Sequence, residues 1–235
     1  MSNPIEINSL NIKFEAESPG EILQWACKTF SLDKIATTSS FQSQSVPLLH
    51  QISKYTPGLL VYFIDTGFHF PETLIFRDQL VSEFGLNIKI LKSRRLSESN
   101  GRQTRELYRD NSDLCCYINK VKPFKDVKGK LKAWVTGIRR DQTKVREKTP
   151  VLSIDSDGLY KICPMAAWNH EEIWSYITEY DLPVHPLFYK GYRSIGCMPC
   201  TRPVLPDESE RDGRWPDEIK TECGLHISID NESVD

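Results

Sequence analysis

Four of the seven cysteines form two close pairs, Cys115 with Cys116 in "CCYINKVKP" and Cys197 with Cys200 in "CMPC". Four thiolates suit either a structural zinc ion or a 4Fe-4S cluster. Zinc usually takes pairs whose cysteines are separated by roughly two to four residues, and adjacent cysteines fit that turn poorly. The spacing therefore favours a 4Fe-4S cluster, with zinc as the alternative.

A further cysteine, Cys223, lies in the polar C-terminal segment "KTECGLH". The thiolate is the nucleophilic form, and at an ordinary pKa near 8.5 only about 3% of a thiol is ionised at pH 7. Cations lower the pKa of a nearby thiol, and the candidates are His226 and the two arginines of "ERDGRW", Arg211 and Arg214. Cys223 is thus a candidate nucleophile, with an incidental surface thiol as the alternative.

A strongly basic segment follows the adjacent cysteines. From Lys120 to Lys148 the chain has eleven Lys or Arg against three acidic residues, a net charge of +8 in a chain whose total is −2. Such a segment is an exposed face, a nucleic-acid surface or the lining of a pocket for a small polyanion. The acidic remainder of the chain argues against nucleic-acid binding.

The chain has 235 residues, enough to build a core without disulfides. Its N-terminus lacks the basic and apolar regions of a signal peptide, and no stretch approaches the roughly 18 apolar residues that span a bilayer. We therefore expect a cytoplasmic protein with no membrane contact. Thiols stay reduced there, so closely spaced cysteines indicate a metal, a cluster or catalysis. Cys27 and Cys163 are expected to pack in the core.

Alternating helices and strands must position these residues. Apolar spacing predicts helices at 21–30, 46–55, 71–85 and 170–180, and apolar runs predict strands at 34–39, 59–65, 86–91 and 133–138. This alternation predicts an α/β fold with a mostly parallel, doubly wound sheet.

Ligands of such sheets bind at the carboxyl ends of the strands, where three loops stand out. "TTSSFQSQS" (37–45) offers backbone N–H groups and hydroxyls before a helix, a cradle for an oxyanion, and it has no glycine of a Walker loop. Asp65 in "DTGFHFPE" is placed to accept from an amine or a ribose hydroxyl, and "GIRRDQTKVR" supplies guanidinium groups for phosphate or sulfate. Together the loops predict a site for a nucleotide with few phosphates.

The full set of motifs resembles the phosphoadenylyl/adenylyl sulfate reductase family, and within it the iron-sulfur assimilatory adenylyl-sulfate reductases. The matching blocks lie in the family's order between about residues 37 and 226: "SSFQSQS", "DTGFHFPETLIFRD", "CCYINKVKP", "WVTGIRRDQT", "CMPCTRP", "ERDGRW" and "ECGLH".

The resemblance implies a fold of the adenine-nucleotide α-hydrolase-like type. Residues 1–203 would bind nucleotide and cluster, and a mobile C-terminal segment, 204–235, would carry the catalytic cysteine. It also implies that Cys223 attacks the sulfur of adenosine 5'-phosphosulfate (APS), expelling AMP and leaving an S-sulfocysteine. A thiol of thioredoxin or glutaredoxin then releases sulfite. A homo-oligomer is compatible with this reading.

Site residues follow from the resemblance and from the need for cations around two anionic reactants. Lys120 and His226 are the expected catalytic partners of Cys223, and Cys115, Cys116, Cys197 and Cys200 the expected cluster ligands. The expected substrate-binding residues are Ser39, Ser40, Phe41, Gln42, Ser43, Asp65, Thr66, Gly67, Arg139, Arg140, Arg146, Arg211 and Arg214.

Two departures and one alternative class bear on the function. Related nucleotide pyrophosphatases carry an "SGGxDS" loop for pyrophosphate where this chain has "SSFQSQS", which argues against an ATP-using adenylyltransferase or synthetase. Family members without the paired cysteines generally use 3'-phosphoadenylyl sulfate (PAPS), so the pairs favour APS, with PAPS or both substrates as the alternative.

A zinc-stabilised nucleic-acid-binding module is the alternative from another class of protein. That alternative gives no reason for the motif "ECGLH".

Overall fold

The computed structural model describes residues 4–93 and 107–216, together with 218, 220, 222, 224 and 225 of the C-terminal tail. Cys223 and His226 lie outside the described residues.

A six-stranded sheet forms the centre of the fold. Its strand order is β3-β2-β1-β4-β6-β5, and every neighbouring pair is parallel except β5 with β6. The predicted α/β, mostly parallel and doubly wound sheet is therefore confirmed. The strands are β1 (Ile35–Thr38), β2 (Leu60–Asp65), β3 (Ile88–Lys92), β4 (Ala133–Val135), β5 (Leu152–Ile154) and β6 (Tyr160–Ile162).

Helices cover both faces of this sheet, and their ends carry recognisable signals. At the start of helix Pro19–Thr29, Ser18 and Glu21 form a reciprocal capping box. Asn169 and Glu172 form the same motif at the start of helix His170–Glu179. The helices predicted at 21–30, 46–55, 71–85 and 170–180 are all present with ends shifted by a few residues at most. The helices are α1 (Pro4–Phe14), α2 (Pro19–Thr29), α3 (Val46–Tyr55), α4 (Pro71–Phe84), α5 (Leu107–Asp110), α6 (Ser112–Cys116), α7 (Lys122–Lys128) and α8 (His170–Glu179). None of these described helices is long and apolar enough to cross a bilayer.

A π-helical turn joins α6 to α7. It spans Tyr117–Val121, directly after the adjacent cysteines. Pro123 has no N–H, and its ring would clash with the carbonyl of Asn119 in a regular α-helix. Because a π turn widens the helix at this point, it accommodates the proline, and such turns are frequent at functional sites. The turn carries Asn119 and Lys120.

The two faces of the sheet bury two apolar clusters. Along β2, Val61 and Phe63 belong to the larger cluster, whereas Tyr62 and Ile64 belong to the smaller one. This alternation is what a strand buried on both sides requires. Leu225 of the tail packs against the smaller cluster.

One side-chain amide closes an edge of the sheet. Asn11 of α1 donates from Nδ2 to the carbonyl of Leu152 and accepts from its N–H at Oδ1, each at 2.8 Å. Asn11 thus pairs with edge strand β5 as a neighbouring strand would.

Candidate active site

The main cavity lies where the strand order reverses. β1 and β4 are neighbours, but the chain continues from β1 towards one edge of the sheet and from β4 towards the other. Ligands of open α/β sheets bind at such a switch point. The cavity is lined by the ends of both strands and the loops that follow them, including Thr37, Thr38, Ser39, Ser40, Thr136, Gly137 and Ile138.

The loop after β1 divides into residues that face the cavity and residues that hold the loop. Ser39, Ser40 and Gln42 line the cavity. Phe41 adopts a left-handed φ of 54° and is fully buried, with its ring packed edge-on against Phe63. Ser43 is buried, and its Oγ accepts a 3.1 Å hydrogen bond from the backbone N–H of His185.

Four cationic side chains line the same cavity. They are Lys120, Arg146, Arg211 and Arg214, and no carboxylate is among the described residues of the lining. The Nε–H groups of Arg146 and Arg214 are buried without a hydrogen-bond partner in the described part of the chain. Buried donors of this kind are costly unless a ligand satisfies them. The cavity is therefore suited to a compact anion with several acceptor oxygens.

A short pairing of chain segments places the two C-terminal arginines. Arg214 forms an isolated antiparallel bridge with Thr201, and the N–H of Trp215 donates to the carbonyl of Cys200 at 3.1 Å. A β-carbon on Gly196 would collide with the guanidinium of Arg214. Arg211 and Arg214 consequently lie beside the loop that carries Cys197 and Cys200.

Arg139 and Arg140 point away from the main cavity. Arg139 is only 2% exposed; its Nε donates to Asp141 at 2.9 Å, and its Nη1 donates to Gln44 at 2.9 Å. It borders a neighbouring cavity instead. Arg140 pairs with Glu15, and this hydrogen-bonded guanidinium lowers the pKa of the Glu15 carboxyl. The role of both arginines in substrate binding stays a prediction.

The loop after β2 also makes mostly internal contacts. The Asp65 carboxylate accepts from the N–H of Gly67 at 2.9 Å and pairs with Lys92 at 3.0 Å. Burial opposes ionisation of Asp65, but these two partners outweigh it and lower the pKa of the carboxyl. Thr66 Oγ1 lies 3.2 Å from Cys197 Sγ. Asp65, Thr66 and Gly67 are not part of the main cavity lining, and their contact with substrate stays a prediction.

The four paired cysteines surround one small cavity. Cys115, Cys116, Cys197 and Cys200 line it together with Thr66, Asn119 and Lys120. Lys120 and Cys197 also line the main cavity, so these two residues form a wall common to both.

The arrangement of the thiols bears on which group they can hold. No three His, Cys, Asp or Glu side chains in the described ranges are grouped tightly enough for a single metal ion. A tetrahedral zinc, with bonds of about 2.3 Å, needs sulfurs within about 4 Å of one another. Burial and the other three thiols raise the pKa of Cys200 to about 12, and burial raises that of Cys115. A bound metal centre would stabilise the thiolates instead. Four thiols that line one cavity can supply the complete ligand set of a metal centre, and the spacing of the cysteines in the sequence is what favours a 4Fe-4S cluster over zinc.

The other two described cysteines are packing residues, as expected. Cys163 belongs to the larger apolar cluster, and Cys27 packs against it. Burial raises the pKa of Cys163 to about 11.

The tail returns to both cavities. Glu218 accepts a hydrogen bond from Ser112 Oγ, and Lys220 Nζ lies 2.6 Å from the Asp113 carboxylate, both at the start of the helix that carries the adjacent cysteines. Leu225 lines the main cavity. Glu222 reaches the arginines, a contact that sequence reasoning missed although Glu222 precedes Cys223 in "ECGLH".

Comparison with known proteins connects this site to a family. Residues 34–203 match the model of the phosphoadenosine phosphosulfate reductase domain. The chain is 39% identical over 227 residues to an adenosine 5'-phosphosulfate reductase of Salinibacter ruber, across 95% of this chain and 90% of that protein. It is 39% identical over 219 residues to a phosphoadenosine 5'-phosphosulfate reductase of Gloeobacter violaceus, across 91% and 90% of the two chains.

A solved structure agrees with these matches. The crystal structure of phosphoadenylyl-sulfate (PAPS) reductase from Candida auris, a phosphate complex, superposes with a TM-score of 0.73 at 30% identity, across 84% of this chain and 97% of that chain. The resemblance inferred from the motifs is thereby confirmed, and the chain belongs to the phosphoadenosine phosphosulfate reductase family.

Proposed function

We propose that this protein is an adenylyl-sulfate reductase of assimilatory sulfate reduction, converting APS to sulfite and AMP with electrons from thiols. The observation that carries the proposal is that the main cavity and the cavity of the four cysteines share two lining residues. Lys120 and Cys197 border both a cavity with four cations and a cavity with four thiols. A phosphosulfate in the first cavity would therefore lie against the group held in the second.

The first step is a transfer of the sulfuryl group to Cys223. Its thiolate attacks the sulfur of APS, a new S–S bond forms, the S–O bond to the phosphate breaks, and AMP leaves with the bonding electron pair. The attacking thiolate and the sulfuryl oxygens are all anionic, so their approach requires cations. Lys120, Arg146, Arg211 and Arg214 line the cavity and can supply them, and His226 is proposed as a further cation.

The second step needs an external dithiol. One thiolate of a thioredoxin or glutaredoxin attacks the Cys223 sulfur, and sulfite leaves. The second thiol of the reductant then resolves the mixed disulfide, which regenerates Cys223 and leaves the reductant oxidised by two electrons.

The four paired cysteines are proposed to hold a 4Fe-4S cluster. When bound, it would supply a fixed charge distribution beside the cavity rather than electrons, because the thiols provide those. Lys120 and the loop of residues 197–202 are the parts of this chain that it would hold in position. A cytoplasmic location is part of the proposal, since a reducing compartment keeps the thiols and the dithiol partner reduced.

PAPS, alone or alongside APS, is the second candidate substrate. The Gloeobacter violaceus relative is named for PAPS and the Salinibacter ruber relative for APS, at the same 39% identity. Overall similarity therefore does not separate the two substrates, and the paired cysteines are what favour APS.

The test is to incubate anaerobically purified protein with APS or PAPS in the absence of any thiol reductant, followed by peptide mass spectrometry. We expect a sulfo adduct on Cys223 with APS, absent in Cys223→Ser and formed more slowly with PAPS. Iron, acid-labile sulfide and zinc are measured on the same sample. No adduct on any cysteine with either nucleotide, in protein that retains iron and sulfide, would overturn the proposed function. Zinc in place of iron would support the binding-module alternative.

A further inference from the structure

Glu222 is a buried residue whose carboxylate contacts two of the cationic side chains that line the main cavity. The residue is 5% exposed, and its Oε2 lies 2.5 Å from Arg146 Nη2 and 3.6 Å from Arg211 Nη2. Its Oε1 accepts a 2.9 Å hydrogen bond from Thr143 Oγ1. Three side chains from two separate segments thus hold one residue of a polar tail.

Burial of a glutamate in a tail calls for an explanation. Glutamate is rarely buried unless it is paired, and a buried pair is costly to break from one side. The cost here is offset by two guanidinium groups and a hydroxyl. The tail is therefore held by a specific contact and not by apolar burial alone.

A second contact holds the tail three residues further on. Leu225 packs against the smaller apolar cluster and lines the main cavity. A β-carbon on Gly224 would lie 3.4 Å from Val121, so the chain is close to the π turn there. Glu222 and Gly224 are the sequence neighbours of Cys223, so described contacts hold the chain at Glu222 before the cysteine and at Leu225 after it.

The charge of Glu222 would oppose the reaction if it were not compensated. A free carboxylate next to a thiolate raises the thiol pKa and repels an anionic substrate. Pairing with Arg146 and Arg211 removes most of that penalty. Arg146 donates from Nη2 to Glu222 and also lines the main cavity, so one side chain can contact both the tail and a ligand.

We propose that Glu222 is a positioning residue whose contact with Arg146 and Arg211, together with Leu225, delivers the neighbouring Cys223 to the anion cavity. The inference rests on the proposed function, in which Cys223 is the nucleophile. It predicts that loss of the carboxylate slows sulfuryl transfer while leaving nucleotide binding intact.

The decisive variant is Glu222→Gln, which keeps the size of the side chain and a partner for Thr143 but removes the charge. Glu179→Gln, at the exposed end of α8, is the matched control for the loss of one negative charge. We expect the single-turnover rate of sulfo-adduct formation to fall about 10- to 100-fold in Glu222→Gln, the range for a misplaced reactive group. The affinity for AMP, which lacks the sulfuryl group, should change less than about threefold.

Limited trypsin digestion after Lys220 measures the position of the tail without any chemistry. Cleavage should be about tenfold faster in Glu222→Gln than in the wild type or Glu179→Gln, because it follows the population of the released tail, and AMP should protect the wild type further. Equal cleavage and an unchanged single-turnover rate would overturn the inference. Tighter AMP binding with a faster rate would also overturn it, because Glu222 would then be blocking the arginines. If the wild type forms no adduct at all, the proposed function fails, and the digestion alone decides whether Glu222 anchors the tail.

Discussion

The guanidinium of Arg214 occupies the space that a β-carbon on Gly196 would fill. Gly196 also donates its N–H to Thr201 Oγ1 at 3.2 Å, so the close approach is part of the turn that precedes Cys197. The absence of a side chain at this position is therefore a condition for placing one of the four cations of the cavity.

Gly196→Ala should displace Arg214 and weaken substrate binding. A charge-assisted hydrogen bond contributes about 1.5–3 kcal/mol, so we expect the affinity for APS to fall at least about tenfold. Because the end of an arginine side chain can move, the free energy of unfolding should change little. Calorimetric titration and urea unfolding measure the two effects. Gly129→Ala is the control, since a β-carbon there meets nothing within 4 Å.

Gly213→Ala should instead destabilise the fold locally. A β-carbon at this position would collide with the backbone carbonyl of Arg202, which cannot rotate away as a side chain does. The pairing of residues 200–202 with 213–215 would have to shift, and overpacking of this kind costs about 1–3 kcal/mol. Urea unfolding should show that loss, and a stability equal to that of the wild type would contradict the contact.

Lys120→Ala should slow formation of the proposed sulfo adduct more than it reduces the content of the proposed cluster. Removing one group that stabilises developing charge typically costs about 10²- to 10³-fold in rate. Single-turnover kinetics and iron analysis are the measurements, with Lys125→Ala as the control because Lys125 is exposed on α7. Equal proportional losses of rate and iron would give Lys120 a purely structural role.

Asn119→Leu should make the proposed 4Fe-4S cluster more labile. Asn119 is 2% exposed, accepts from Ser93 Oγ at 3.0 Å and donates to Cys115 Sγ at 3.5 Å. Leucine has a similar volume but no donor, and hydrogen bonds to ligating sulfur support metal sites. We expect similar iron content after anaerobic reconstitution and several-fold faster loss of iron and sulfide in air. Identical rates of loss would show that the contact does not support the cluster.

His185 should make the fold less stable in mild acid. It is fully buried, its Nδ1 accepts from the N–H of Leu187 and its Nε2 contacts Thr73 Oγ1; burial lowers its pKa to about 4. The unfolded chain, with an ordinary pKa near 6.5, takes up a proton in the window where the folded chain does not. Stability is therefore complete above pH 6.5 and falls by about 3 kcal/mol as the pH drops to 4.

His185→Asn keeps an acceptor for Leu187 and does not titrate, so it should remove this component of the acid sensitivity. Urea unfolding between pH 4 and 7.5 is the measurement, with the exposed His170→Asn as the control. A pH dependence that is the same in His185→Asn and the wild type would assign the effect to other groups.

Sequence reasoning worked best where local patterns decide the structure. β2 is a buried apolar run and α4 ends at Gly85 in a left-handed conformation, and both were predicted close to their observed bounds. β5 and β6 were missed because each is short and, unlike the equally short but fully buried β4, buries only one of its three residues, so neither has an apolar run. The π turn was missed because a proline after a helical run usually indicates a helix start.

The directions in which the arginine side chains point also could not be predicted from local sequence. Arg140 turns away from the main cavity because it pairs with Glu15, 125 residues earlier in the chain, and Arg139 meets Gln44 across 95 residues. Arg146 meets Glu222 across 76 residues. Three arginines in one loop therefore have three different orientations, each set by a partner that only the folded chain brings near.

The pairing of Asn11 with Leu152 bears on how copies of this protein behave at high concentration. An exposed edge strand offers a row of unpaired backbone groups on which another chain can add a strand. β5 is short, and a side-chain amide already satisfies both backbone groups of Leu152. Replacing Asn11 with leucine would open that edge, so the first consequence of losing this single amide would be self-association of the protein rather than loss of its chemistry.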